Sequence, residues 1–206
     1  MDEQIREQVK QIKQSFRLLM DGHTAQSMRE KGVCYKLNWG ASLPMLKQQA
    51  SEIGPHYDLA IALWKEDVRE CKILATLIMP PHEIQPEVVD IWMEQIPSQE
   101  IAEQAALNLF QYLPYAPMKA YEWIASDKEY YQLCGFHVLC RLFRNGQEPN
   151  ERGINEFLDQ VLTALQEPSL AVRKAAMQCL LQFAELGLVY ERLARSATKS
   201  LNLDFF

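Results

Sequence analysis

The chain has 206 residues, a formal net charge of −6, 48% hydrophobic side chains and only 8 glycines. A chain of that length buries roughly 70% of its unfolded surface and needs neither metals nor disulfides to hold a core. The acidic balance excludes a generally basic nucleic-acid coat, so any DNA surface must be a local patch.

In chain order, residues 3–20 form an amphipathic pattern and 24–31 a short helical one, and 32–41 (Gly-Val-Cys-Tyr-Lys-Leu-Asn-Trp-Gly-Ala) are the least regular stretch. Ser42-Leu-Pro44 reads as a helix start, with Ser42 as the cap and Pro44 in the first turn, where its missing N–H does no harm. Four stretches then repeat one design, an amphipathic helix, a polar turn and a more apolar helix: 58–79, 87–114, 119–144 and 157–184. Their anchors Trp64, Trp92, Trp123 and Leu165 lie 28, 31 and 42 residues apart, close to the period of two-helix solenoid units. Asp67-Val-Arg-Glu70 and Ser126-Asp-Lys-Glu129 fit capping boxes, while Ser98 and Ser169 fit the N-cap of the second helix in the other two units. Small residues (Ala75, Ala105, Ala106, Gly135, Ala175, Ala176) mark close helix approach, and prolines from Pro80 to Pro149 separate the units. No sustained period-2 alternation exists, so no sheet is expected. The fold class expected is all-α, one domain over 1–206: N-terminal helices in 1–53, helical repeats in 56–199 and a tail at 200–206.

The five cysteines (Cys34, Cys71, Cys134, Cys140, Cys179) are odd in number, lack a C-x-x-C pair and, Cys34 apart, sit in apolar helical patterns. They read as small buried hydrophobes in a reducing compartment. The start Met1-Asp2-Glu3-Gln4 carries no secretory or transit signal, and no apolar run approaches the ~20 residues of a membrane span. A cytoplasmic location without membrane contact is therefore expected. His23, His56, His82 and His137 are scattered, with no cluster at metal spacing, and no phosphate loop or nucleophile motif occurs. Neither metal nor cofactor is expected.

Charge is uneven along the chain. Residues 80–130 hold nine acids against Lys119 and Lys128, while the two ends are balanced. Trp39 sits in the irregular stretch beside Lys31 and Lys36, where it either stacks on nucleic acid or covers the end of the solenoid. Arg173 and Lys174, with Arg192, Arg195, Arg141 and Arg144, either line a phosphate track or are solvated helix faces.

The segment Lys36-Leu-Asn-Trp-Gly-Ala-Ser-Leu-Pro-Met-Leu-Lys47, followed by Leu59-Ala-Ile-Ala-Leu-Trp64 and Val68-Arg69-Glu70, resembles the AlkD-like DNA alkylation repair family over roughly 28–186. The resemblance implies a C-shaped HEAT-like solenoid with a concave face for double-stranded DNA. Active members excise cationic alkylpurines in an aromatic-lined cleft with an Asp and a supporting Arg. The aromatic face attracts the cationic base and the carboxylate stabilises the developing sugar cation. Carried across, the Asp falls on Glu103, the Trp before it on Gln99, the Arg on Leu133, the second Trp on Gln178 and an early Tyr on Lys31. What the resemblance leaves is a binder of damaged or branched DNA with its excision residues largely substituted. Alternatives are a glycosylase using Glu103, which could equally be a solvated acid, and a scaffold for a protein partner, suggested by the acidic 80–130 block.

Overall fold

The computed structural model describes residues 3–33 and 35–199, and among these the only β pairing is an isolated bridge between Leu37 and Val68. The all-α expectation holds, with twelve α-helices among the described residues: α1 (Glu3–Ser15), α2 (Gly22–Glu30), α3 (Leu43–Ile53), α4 (Tyr57–Trp64), α5 (Arg69–Ile78), α6 (Pro86–Glu94), α7 (Gln99–Asn108), α8 (Ala116–Ile124), α9 (Glu129–Arg144), α10 (Glu151–Ala164), α11 (Leu170–Ala184) and α12 (Leu188–Thr198). The described residues divide into two compact units, one up to residue 109 and one from residue 110. The expectations for Cys34 and the tail 200–206 lie outside the described residues.

Each unit is layered. In the first, α1 packs on α4 in one layer, and α3, α5 and α7 stack side by side in the other. The first layer continues to α6 through the Trp64 and Trp92 rings, which stack 4.3 Å apart at 4°. Offset stacking of two aromatic faces stabilises by about 0.5–1.5 kcal/mol beyond the area buried. In the second unit α8, α10 and α12 form one layer against α9 and α11. Phe143, Phe157 and Phe183 meet edge-on or tilted at its centre. The four sequence repeats are thus the pairs α4/α5, α6/α7, α8/α9 and α10/α11.

The anchors Trp64, Trp92 and Trp123 are core residues, whereas Leu165 closes α10 and is half-buried. Gly135 shows why a small residue recurs on the second helices: a Cβ there would stand 2.6 Å from Ile124 Cγ2 and 2.8 Å from the Ala120 carbonyl oxygen. Cys71, Cys134 and Cys179 are free thiols in the core. Burial pushes the Cys71 thiol up to about 12.

Local starts are realised in part. Ser98 and Ser169 accept from the N–H groups of Ile101 and Val172, as N-caps should. Ser42 occupies the cap position of α3 without a side-chain bond. Helix α1 stops at Ser15 and a 3₁₀ turn over Phe16–Leu19 buries Phe16, so the pattern over 3–20 is not one helix. Neither capping box forms. Val68 is extended because it pairs with Leu37, which moves the start of α5 one residue on and leaves Asp67 outside. Ser126 accepts from the Lys128 N–H, and Glu129 accepts from the Ser169 hydroxyl rather than reaching back.

Candidate functional site

In the first unit the irregular stretch is pinned on both sides. Leu37 donates its N–H to Asp67 and accepts from the Arg69 N–H. The N–H groups of Trp39 and Ala41 both donate to one oxygen of Glu70, at 3.1 and 3.2 Å. Arg69 Nη1 donates to the Ala41 carbonyl at 2.9 Å, and the guanidinium then grips Glu100 with Nε at 2.8 Å and Nη2 at 2.6 Å. Tyr35 reaches Ser98 across 2.6 Å. On the other side the Asp21 N–H donates to the Trp39 carbonyl. Gly40, at φ +72°, permits that approach, since a Cβ would lie 2.2 Å from the Asp21 oxygen. Arg69 and Glu70 are fully buried. Burial works against the charge on Arg69, yet the bonds and charges of Glu100 and Glu70 outweigh it and hold its pKa above the ordinary value.

This clamp holds the backbone of Trp39, which is half-buried. Trp39 and α1 line a groove of about 460 Å³, together with Arg17 and Glu66; the α1 residues include Arg6, Lys10 and Lys13. Each of those cations follows a buried apolar residue: Ile5, Val9, Ile12 and Phe16. The cations therefore flank the packed stripe of α1 and of the 3₁₀ turn after it, which carries Arg17. Lys31 and Lys36, the cations nearest Trp39 in sequence, are both exposed and neither lines the groove. Cations at 6, 10, 13 and 17, each directly after an apolar position, are the sequence feature that marks this edge, although the pattern reads only as amphipathic.

Glu103 lies on α7, half-buried, and accepts from Gln99 Nε2 at 2.8 Å. It forms no ion pair among the described residues. In the second unit, Leu133 is wholly buried within α9, so the place given to the supporting Arg is a core position. Gln178 is exposed.

The basic residues of the second unit fall into separate groups. Ser169 bonds Glu129 and Cys140 Sγ meets the Gln178 carbonyl, so α9 and α11 run parallel with offsets of 40 and 38 residues. Arg141 consequently stands level with about residue 180, some seven residues or roughly 10 Å along the axis from Arg173. Lys174 and Arg144 are exposed and Arg141 half-buried. Arg173 donates to the Glu167 carbonyl at 3.1 Å. On α12, Arg192 is exposed, while Arg195 is paired with Glu191 through Nε at 3.0 Å and Nη2 at 2.8 Å. No group of three or more metal-ligating side chains occurs among the described residues, and no described helix is long and apolar enough to cross a membrane.

A solved structure of a new family of proteins related to the HEAT-like repeat DNA glycosylases, with affinity for branched DNA structures, is similar to this chain. The TM-score is 0.81 at 20% identity, over 92% of this chain and 81% of that one. At that identity the likeness establishes the HEAT-like fold. No curated protein matches the chain. Residues 12–186 match the family model described as DNA alkylation repair enzyme. With most of its length inside that match, the chain belongs to the DNA alkylation repair enzyme family.

Proposed function

We propose that this family member binds damaged or branched DNA through the phosphodiester backbone and does not excise bases. The observation that carries this reading is the Gln99–Glu103 pair. Excision of a cationic purine asks for a carboxylate beside the sugar and an aromatic face against the base. Here the residue that the resemblance puts in the aromatic's place is an amide bonded to one oxygen of the carboxylate, and Glu extends the acid by a methylene relative to Asp. A misplacement of about 1 Å can cost a hundredfold in rate. The burial of Leu133 supports the same reading, because a core position offers no cation to a substrate. The affinity of the similar solved protein for branched DNA structures supports branched DNA as the preferred form.

The basic residues proposed to meet phosphates are Lys31, Lys36, Arg141, Arg144, Arg173, Lys174 and Arg192. Arg195 contributes less, since Glu191 already holds it. Equilibrium binding to a plain and a three-way-branched duplex across a salt series tests the proposal. Affinity should fall linearly on log axes with a slope of about −0.9 per phosphate neutralised. Replacing Arg173 and Lys174 together with Ala should lower that slope by about 2. Absence of DNA binding at every salt concentration would overturn the proposal and favour a protein-binding scaffold.

A further inference from the structure

We infer that the groove between α1 and Trp39 holds an unpaired DNA strand, with its phosphates along α1 and a base against Trp39. The inference rests on the proposed binding of branched DNA and names the part of that substrate the first unit takes. Three observations point the same way. First, the groove carries four cations against one carboxylate, Glu66, on a protein whose overall charge is −6. Glu66 is committed to Lys13 at 2.5 Å, and Glu7 touches Lys10 only at 3.4 Å. Arg6 and Arg17 have no acidic partner among the described residues. Exposed pairs of the Lys10 kind are worth little and yield to a phosphate.

Second, an aromatic residue lines the same groove. Bases stack on aromatic rings without regard to sequence, and cations beside the ring track the backbone, which is the combination single-strand sites use. Third, the Trp39 backbone is preorganised, since its backbone N–H and carbonyl are both bound to other elements, to Glu70 and Asp21. A loop already held in place loses little freedom when a base lands on it. The groove volume of about 460 Å³ falls within the usual range of ligand sites, roughly 300–1,000 Å³. A paired duplex presents its bases stacked inside, so an unpaired strand is the form that offers a phosphate and a base face together.

Trp64, Trp92 and Trp123 are at most 2% exposed, so quenching of tryptophan emission by added DNA reports Trp39. The test uses the full chain with two fluorescein-labelled probes: a 20-base-pair duplex, and the same duplex bearing a single-stranded oligothymidine arm. The armed probe should bind at least five-fold more tightly and quench the emission. In Arg6→Gln/Lys10→Gln/Arg17→Gln, three exposed positions whose change spares the core, the preference should vanish with duplex affinity unchanged. Trp39→Leu should abolish quenching and most of the preference, while Trp39→Phe should retain part of it. Equal binding of both probes by the native protein would overturn this inference and leave the proposed duplex binding standing. A triple variant that keeps the preference would overturn it also. Binding of neither probe would overturn both, and so would capture by anionic phosphatidylserine vesicles in place of DNA.

Discussion

Arg69 of α5 and Glu100 of α7 meet in a two-point ion pair, with Nε and Nη2 of one at 2.8 and 2.6 Å from the two oxygens of the other. The same guanidinium holds the Ala41 carbonyl and touches Glu70, so one side chain ties two stacked helices to the loop that carries Trp39. Removing one member strands a buried charge. Arg69→Met should therefore cost about 3–5 kcal/mol of unfolding free energy. Glu100→Gln should cost less, because its side chain is 26% exposed. Urea titration followed by circular dichroism measures both.

The Trp64–Trp92 stack is the corresponding joint of the other layer in the first unit. Trp64 Nε1 also donates to Gln95 at 3.0 Å, and Lys72 sits 4.6 Å over its ring while donating to the Trp64 carbonyl at the end of α4. Trp92→Ala should lower stability by about 3–5 kcal/mol, the range for emptying a large core site. Trp92→Phe should recover a large part of it in the same titration.

Gly135 sits where α9 crosses α8 within van der Waals limits. Gly135→Ala removes the flexible unfolded glycine, which favours folding by about 0.4–1 kcal/mol. It also drives a methyl group onto Ile124 and the Ala120 backbone, an overpacking cost of about 1–3 kcal/mol. The contact with backbone decides the sign, so net destabilisation of about 1–2 kcal/mol is expected from these two terms. Thermal unfolding of the variant checks it; an unchanged or raised Tm would show that α8 and α9 can part freely.

Much of the fold was legible because it rests on local chemistry. The repeat of large anchors and small neighbours predicted four helix pairs, and Ser98 and Ser169 announced their helices by the residue type that caps an N-terminus. The failed capping boxes share a different cause. Glu70 has the right spacing from Asp67, but it is taken by the amides of Trp39 and Ala41, some thirty residues earlier. Ser169 takes Glu129 in the same way from forty residues later. Such long-range partners override a pattern four residues wide. The groove was half legible: Trp39 stood out as an irregular aromatic, while its cationic partners lay in a helix that read only as amphipathic. Glu103 and its lost companions rested on the family resemblance, since no periodicity marks them.

Alkaline pH should weaken the fold through buried acids whose neutral form is favoured. Burial raises Cys71 from about 9 to about 12 and Tyr35 from about 10 to about 12. Tyr121 is raised by burial as well. The unfolded chain thus releases these protons first as pH rises. Their contribution is whole below pH 9 and is lost progressively between pH 9 and 12. Urea midpoints measured from pH 8 to 11 should decline above 9, and Cys71→Ala should flatten the early part of that decline.

Single-turnover incubation with a duplex containing one 7-methylguanine tests the central claim most directly, following retention of the duplex and the appearance of abasic sites together. Binding without excision predicts a retained duplex and no abasic product above the level without protein. Abasic product that forms with the native chain and disappears in Glu103→Gln would contradict the account and make Glu103 the carboxylate of a working glycosylase.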